Sequence, residues 1–184
     1  MGDKVIRVLE KSEETLVSNI TNIVKGNVEE LCSSAAEHVR ELGYKPYIFS
    51  TNADCEAKSL GQWFARTAKA IREDNPWKLE LPCAVIVGGE TVVKVTGNGL
   101  GGRNQEIALQ AAEGIQGMEK TVLFSLASDG TDGPTDAAGG IVDGYTVKAL
   151  EDKGMNIREY LEDNEAYCAL QEVNGLIMTG PKGT

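Results

Sequence analysis

Short apolar runs alternate with segments of helical periodicity along this chain, and that alternation limits what it can fold into. The runs are bounded by glycine, asparagine and proline, which is typical of strands that end in tight turns. A further run at 91–96 alternates apolar and polar residues, which favours a strand with an antiparallel partner. Strands that alternate with helices predict an α/β fold, with a mixed sheet, helices packed on it and glycine-rich loops at the strand ends. The other strands are predicted at 19–24, 47–50, 83–87, 121–127 and 175–179.

Helix signals fill the intervals between these strands. Asn27 and Glu30 form a capping-box-like pair at the start of the first helix, and Gly43 ends it. We expect one apolar face on this helix, formed by Val28, Leu31, Ala35, Val39 and Leu42. The other helices are predicted at 56–73, at 104–114, from the loop at 128–136 through residue 150, and within 157–173.

Composition excludes several classes of protein. The formal net charge of -10 argues against nucleic acid as the main partner, because a phosphate backbone selects basic surfaces. Four widely spaced cysteines and one histidine lack the spacing of a zinc cluster, and they predict buried, reduced thiols. No stretch approaches the ~20 apolar residues of a membrane span, and residues 1–14 lack the apolar stretch of a signal peptide. We therefore expect a cytoplasmic protein with no nucleic-acid or membrane partner, and the sequence leaves a homo-oligomer open.

Glycines concentrate around one loop between a predicted strand and a predicted helix, at 88–89 and 97–102. Without a Cβ, glycines let backbone N–H groups approach a ligand closely, and the positive end of the helix dipole favours phosphate or carboxylate. Arg103 stands at the mouth of this loop, where its guanidinium is suited to paired hydrogen bonds with such an anion. The alternative is a plain surface loop with Arg103 in solvent.

The spacing of Gly97, Gly99 and Gly102 also fits G-x-G-x-x-G, the pattern of dinucleotide-binding loops. Such a loop favours an oxidoreductase, with an acid near Asp129 as the ribose ligand. Against this alternative, the helix begins with Arg-Asn-Gln-Glu, where dinucleotide-binding helices pack small residues. The single histidine, His38, lies far from this loop in the sequence and offers no evident proton donor.

Three carboxylates crowd a glycine-containing loop after the predicted strand at 121–127, namely Asp129, Asp132 and Asp136. Hard oxygen ligands of this kind suit Mg²⁺, which commonly bridges to substrate phosphates. The alternative is turn chemistry, with Asp and Gly forming tight turns and one side chain capping the next helix.

The last predicted strand ends in a glycine-rich turn at 179–184, which contains Lys182. Strand ends of α/β proteins are where ligand sites gather, so this turn is a third candidate segment. The chain stops there without a C-terminal helix or polar tail, and we expect a C-terminally truncated domain.

Four stretches of the sequence are long and specific: GGETVVKV at 88–95, GNGLGGRNQE at 97–106, DGTDGPTDAAG at 129–139 and TGPKGT at 179–184. Together they resemble the MOFRL domain, the C-terminal domain of the class II glycerate kinases. Members of that family also carry the name hydroxypyruvate reductase. The resemblance runs from about residue 81 to the end, and it continues more faintly upstream, through IVKGN at 23–27 and CEA at 55–57.

The resemblance implies a domain organisation. Residues 1–18 are a tail or a remnant of a preceding domain, 19–80 form a βαβα segment, and 81–184 form a MOFRL-like α/β domain. The resemblance implies a large N-terminal Rossmann-like domain that binds the nucleotide and supplies a catalytic lysine, and we expect this sequence to lack it. Because the substrate lies in the cleft between the domains, we expect this chain alone to be inactive.

The resemblance also implies a reaction, the transfer of the γ-phosphoryl group of ATP to D-glycerate, with 2-phosphoglycerate as product and Mg²⁺ as cofactor. On this hypothesis Arg103, Asp129 and Asp132 are catalytic. Arg103 holds the glycerate carboxylate or the transferring phosphoryl group. We expect the glycine loop and the acidic loop to lie side by side, with Arg103 facing Asp129 and Asp132 across an open polar cleft. The expected metal ligands are Asp129, Asp132 and Asp136. The residues expected to bind substrate or phosphate are Gly89, Glu90, Gly99, Gly101, Gly102, Asn104, Gln105, Thr131, Thr135 and Lys182. The alternatives are an NAD(P)H-dependent hydroxypyruvate reductase and a non-catalytic, partner-binding domain.

Overall fold

The computed structural model describes residues 26–182 of the 184-residue chain. The predicted tail at 1–18, the predicted strand at 19–24 and the last two residues lie outside the described residues. The helices are α1 (Val28–Glu41), α2 (Ala57–Glu73), α3 (Arg103–Gly114), α4 (Thr146–Glu151), α5 (Ile157–Glu162) and α6 (Ala166–Glu172). The strands are β1 (Lys45–Ala53), β2 (Cys83–Gly89), β3 (Val122–Leu126), β4 (Gly139–Asp143) and β5 (Leu176–Ile177).

The strands between residues 26 and 182 form two small sheets. In the first, β1 and β2 pair in parallel, from Lys45 opposite Cys83 to Ala53 opposite Gly89. In the second, β3, β4 and β5 pair antiparallel in that order. The predicted α/β class, with helices packed on parallel and antiparallel strands, is confirmed. The two kinds of pairing are divided between the two halves of the described chain.

The start of α1 follows from its capping residue, but its buried face differs from the prediction. The backbone N–H of Glu30 donates to Asn27 Oδ1 at 2.8 Å, which confirms the cap. The buried residues are Cys32 and Ala36, whereas Leu31 is exposed. The helix approaches β2 at Gly88, where an added Cβ would lie 2.5 Å from Cys32 Sγ. This close approach selects the small side chains of α1 for burial and turns the larger ones outward.

The helix predicted from the acidic loop through residue 150 is wrong in its first part. Gly139–Asp143 form β4, and the following helix covers only Thr146–Glu151. A Cβ added to Gly139 would lie 2.8 Å from Leu126 Cα, so glycine permits close pairing with β3. Two consecutive glycines also disfavour a helix.

The strand predicted at 91–96 is also wrong. Its only ladder-type contact in the described chain is a single parallel bridge between Glu56 and Val92. The Val92 N–H donates to Cys55 O at 3.1 Å, and Val92 O accepts from Ala57 N at 2.9 Å. The segment therefore bonds to the turn that opens α2, and the antiparallel partner that alternation suggested does not form.

Helix α3 is the centre of the core. Its residues from Gln105 to Ala112 are all buried, and it packs between α2 and the antiparallel sheet. Helix α2 approaches it at Gly61, where a Cβ would lie 2.6 Å from Ile107 O. Arg103 is the first residue of this firmly held helix.

Two expectations from composition can be compared with the structure. All four cysteines are free thiols, but only Cys32 is buried, and Cys55 is exposed. Among residues 26–182, no helix is both long enough and apolar enough to cross a membrane.

Candidate functional site

The three candidate segments meet at one end of α3. The glycine loop, residues 97–102, lies against the acidic loop, residues 129–136, so closely that a Cβ on Gly133 would lie 2.6 Å from Gly101 O. The acidic loop in turn contacts the last segment, because Lys182 N donates to Asp129 O at 2.6 Å. The sequence prediction that the glycine and acidic loops lie side by side is confirmed.

Asp132 occupies the N-terminus of α3. Its side chain is buried, with 1% of the residue exposed. Oδ1 accepts from Asn104 N and Asn104 Nδ2, both at 3.1 Å, and Oδ2 accepts from Gln105 N at 2.9 Å. A carboxylate at this position satisfies free N–H groups and complements the helix dipole. The protein has thus filled the anion site of the helix with its own side chain.

Asn104, Gln105 and Thr135 are likewise used inside the protein. Asn104 Oδ1 accepts from Ser125 Oγ at 2.5 Å, and Gln105 Nε2 donates to Thr135 Oγ1 at 2.8 Å. Gln105 is fully buried. These three residues were predicted to bind substrate or phosphate, and the structure gives them the role of fixing the acidic loop to α3.

The glycines of the 97–102 loop lie against the backbone that joins α5 to α6. A Cβ on Gly99 would lie 2.6 Å from Asp163 O, and one on Gly101 would lie 3.0 Å from Asn164 O. The Gly99 N–H donates to Asp163 O at 2.8 Å. The glycines therefore permit close contact within the chain, which differs from the predicted contact with a ligand. Gly102 follows the same rule, since its Cβ would overlap Asp132.

Arg103 forms an ion pair with Glu90. Nη1 of Arg103 contacts Glu90 Oε1, and the side chains are 38% and 75% exposed, respectively. Among residues 26–182, Glu90 is the one carboxylate that forms a salt bridge with Arg103. That Arg103 faces Asp129 and Asp132 across a cleft stays a prediction. Glu90 follows Gly89, whose φ of 154° and contact with Ala53 backbone atoms require glycine. This turn brings Glu90 to the start of α3.

The exposed rim of the site carries Asp129, Thr131, Asp136 and Lys182. Asp129 Oδ1 accepts from Thr131 N at 3.1 Å, which closes a local turn. Asp136 Oδ1 accepts from the hydroxyl of Tyr167 at 2.9 Å, and this hydrogen bond raises the pKa of Tyr167. Asp129 and Lys182 are exposed.

The predicted magnesium ligands do not form a metal site. In the part of the chain that the structure describes, no three His, Cys, Asp or Glu side chains come together as a metal-binding group. Asp132 is buried and already accepts three hydrogen bonds, and Asp136 accepts one from Tyr167. The donor set therefore does not fit a protein-held Mg²⁺.

Sequence reasoning missed Asn164 and Glu106. Asn164 has a φ of 57° and is buried, and its Nδ2 donates to Glu106 Oε1 at 2.5 Å. Asn164 Oδ1 accepts from Thr96 N at 2.7 Å and Gly97 N at 2.9 Å. Burial raises the pKa of Glu106 above its ordinary value. Asparagine tolerates positive φ better than most residues, so its place between two short helices was the available signal.

Fold and site together define an α/β protein in which an accessible arginine begins a buried helix beside an acidic loop. Residues 83–184 match the model of the MOFRL family. The chain belongs to the MOFRL family.

Two relatives with the name glycerate 2-kinase match nearly the whole chain. D-glycerate 2-kinase of Thermotoga maritima is 45% identical over 184 residues, which are 100% of this chain and 44% of that protein. Glycerate 2-kinase of Pyrococcus horikoshii is 42% identical over 176 residues, which are 94% of this chain and 40% of that protein. A reductase name occurs at lower identity, 30% over 150 residues, in a protein of Agrobacterium vitis.

A solved structure agrees with these matches. The crystal structure of glycerate kinase from T. maritima superposes with a TM-score of 0.83 at 42% identity, covering 98% of this chain and 47% of that one. The chain thus spans less than half the length of the curated glycerate 2-kinases above.

Proposed function

We propose that this chain is part of a glycerate kinase that transfers the γ-phosphoryl group of ATP to D-glycerate, giving 2-phosphoglycerate. The two glycerate 2-kinases at 45% and 42% identity support this proposal. The observation that carries it is the accessible guanidinium of Arg103, which is fixed at the start of a buried helix and, among residues 26–182, forms a salt bridge with one exposed carboxylate.

Arg103 binds the carboxylate of glycerate or the transferring phosphoryl group. An exposed ion pair such as Arg103–Glu90 contributes roughly 0.2–1 kcal/mol, so an incoming anion displaces Glu90 at little cost. A charged contact to a developing transition state is worth ~3 kcal/mol in a closed site. The exchange of one carboxylate for another anion is therefore favourable, and Glu90 keeps the guanidinium oriented until the substrate arrives.

Asp129 orients the attacking hydroxyl of glycerate. Its Oδ1 is used by Thr131 N, and within residues 26–182 its Oδ2 has no hydrogen-bond partner. An exposed carboxylate oxygen beside the site of transfer accepts a hydrogen bond from the hydroxyl and aligns it for in-line attack. Thr131 and Lys182 line the same rim and contact the phosphates. Asp132 acts indirectly, because it holds the first turn of α3 and therefore Arg103.

The nucleotide is bound by the remainder of the longer protein, which we propose is a Rossmann-like domain with a catalytic lysine. Substrate then lies between that domain and the wall formed by this chain. Kinases of this type use ATP with Mg²⁺, which neutralises phosphate charge when bound. The aspartates here do not fit a cage for that ion. We further propose a cytoplasmic location.

The reductase alternative is less compatible with the start of α3. A dinucleotide pyrophosphate would have to take the N–H groups of Asn104 and Gln105. Those groups already donate to the buried Asp132 carboxylate at 3.1 and 2.9 Å. Displacing a buried, hydrogen-bonded carboxylate costs free energy, and it would break the hydrogen bonds that attach the acidic loop to α3.

The test is a paired assay on the full-length protein. ADP formation is measured with ATP, Mg²⁺ and D-glycerate, and NADH absorbance is followed in parallel with hydroxypyruvate. We expect ADP formation that depends on glycerate and no loss of NADH. Loss of NADH without ADP formation would establish the reductase instead.

A further inference from the structure

A buried carboxyl group lies one helical turn beyond Arg103, and the mechanism above does not use it. Glu106 is 1% exposed. Its Oε1 accepts from Asn164 Nδ2 at 2.5 Å, and its Oε2 is buried without a hydrogen-bond partner among the described residues. A buried polar atom without a partner is uncommon and asks for an explanation.

Asn164 connects this carboxyl group to the glycine loop. Its Oδ1 accepts from Thr96 N at 2.7 Å and from Gly97 N at 2.9 Å, at the start of that loop. An amide has one carbonyl oxygen and one NH₂ group, so its orientation decides which end meets the loop. Because Glu106 Oε1 accepts from the NH₂ end, it directs the carbonyl oxygen towards Thr96 and Gly97.

The charges around Glu106 come from two neighbouring elements. Lys58 and Glu56, at the start of α2, and Asp132, on the acidic loop, act on its carboxyl group. Lys58 Nζ donates to Leu161 O at 2.6 Å. Burial raises the pKa of Glu106 by more than the positive charge of Lys58 lowers it. An ionised Glu106 would leave a buried charge with one unpartnered oxygen, and the neutral acid avoids most of that penalty.

We propose that Glu106 is a positioning residue, which acts as a neutral carboxyl group through Asn164 to hold the glycine loop that leads into Arg103. Its consequence for catalysis rests on the proposed kinase function, but its effect on the loop does not. A neutral amide in place of the carboxyl group keeps an acceptor for Asn164, whereas alanine removes it.

Hydrogen exchange of the Thr96 and Gly97 amides in the full 184-residue chain tests the contact directly. We expect Glu106→Ala and Asn164→Gly to speed exchange at these two amides by at least about tenfold, because both remove a link in the network. Glu106→Gln should stay within about threefold of wild type. Asn164→Gly suits the positive φ of that position. Glu113→Gln, at the partly exposed C-terminal end of the same helix, is the matched control and should change neither amide.

The same variants in the full-length enzyme test the link to Arg103. We expect Glu106→Ala to lower kcat/KM for glycerate by at least about tenfold and Glu106→Gln to restore it to within about threefold. Two outcomes would overturn the proposal. One is unchanged exchange at both amides in Asn164→Gly. The other is that Glu106→Gln loses as much protection, or as much activity, as Asn164→Gly does. If wild type forms no ADP with glycerate, the kinase function fails, and the exchange experiment still decides the role of Glu106.

Discussion

Asp132 caps the helix that begins at Arg103. Its carboxylate accepts a hydrogen bond from the backbone N–H of Gln105, which lies 27 positions earlier in the sequence. Asp132, one of the three predicted metal ligands, is therefore buried and stabilises the fold, whereas Asp129 is exposed and accessible to a ligand. This division of roles separates the effects that substitutions in the acidic loop should have.

Substituting Asp132 should lower stability, and substituting Asp129 should not. Asp132→Asn replaces one acceptor by an NH₂ group and leaves a buried N–H of α3 without its partner. We expect a loss of about 2 kcal/mol in the free energy of unfolding. Asp129→Asn is the matched control and should change it by less than about 0.5 kcal/mol, while lowering kcat of the full-length enzyme. Denaturant titration measures the first effect. Equal stability of both variants would contradict the assignment.

The glycine loop should tolerate no side chain where it contacts the α5–α6 connection. A Cβ on Gly99 would lie 2.6 Å from Asp163 O, so Gly99→Ala must displace backbone. We expect a loss of about 2 kcal/mol or more, as in other overpacked sites. Gly26→Ala is the control, because the nearest atom to its added Cβ is Glu30 Oε2 at 3.9 Å. The midpoints of thermal unfolding of the two variants measure the difference. A wild-type midpoint for Gly99→Ala would contradict the prediction, because it would show that the loop accommodates the added methyl group.

Local sequence patterns predicted the helices whose formation depends mainly on nearby residues. The cap at Asn27 and the helices that became α2 and α3 were found from capping residues and periodicity, within one residue at their starts. The strand β4 was missed because its first two residues are glycines, whose role appears only when β3 lies beside them.

The site could be predicted as a group of loops but not as a set of contacts. The sequence placed the glycine loop and the acidic loop together, and they do meet at the start of α3, where Asn104 N donates to Asp132 Oδ1. Glu90 as the partner of Arg103, and Asp132 as a cap, depend on distances between segments that no local pattern encodes. Asn164 was hidden for the same reason, since its partners lie 58 to 70 residues away.

The stability of the chain should depend on pH through Glu106. Burial raises the pKa of this carboxyl group in the folded state, so folding favours its protonated form. The stabilisation is full below the unfolded pKa of about 4.3, and it is lost as the pH rises through the folded pKa. Relative to Glu106→Gln, which cannot ionise, wild type should therefore lose stability from acidic towards neutral pH. Thermal midpoints of both proteins across that range measure the difference. A gain for wild type would mean that Lys58 stabilises an ionised Glu106.

The 184-residue chain alone should not turn over glycerate. It carries Arg103 and Asp129 but spans 44% of the T. maritima relative, and we propose that the nucleotide is bound elsewhere in the longer protein. We expect no glycerate-dependent ADP formation from this chain, with the full-length protein as the positive control. Adding the remaining part as a separate polypeptide should restore some activity. Turnover by the chain alone would contradict a site shared between domains.

Arg103 provides the most direct test of the whole account. We compare kcat/KM for D-glycerate in the full-length wild type, Arg103→Ala and Arg158→Ala, since Arg158 is also an exposed arginine paired with a glutamate, Glu113, at 2.6 Å. Loss of a charged contact to the transition state predicts a fall of roughly a hundredfold or more for Arg103→Ala. Arg158→Ala should stay near wild type, and both variants should keep the wild-type unfolding midpoint within about 1–2 °C, because exposed ion pairs contribute little to stability. A value of kcat/KM for Arg103→Ala within threefold of wild type would contradict the proposed role of this chain in catalysis.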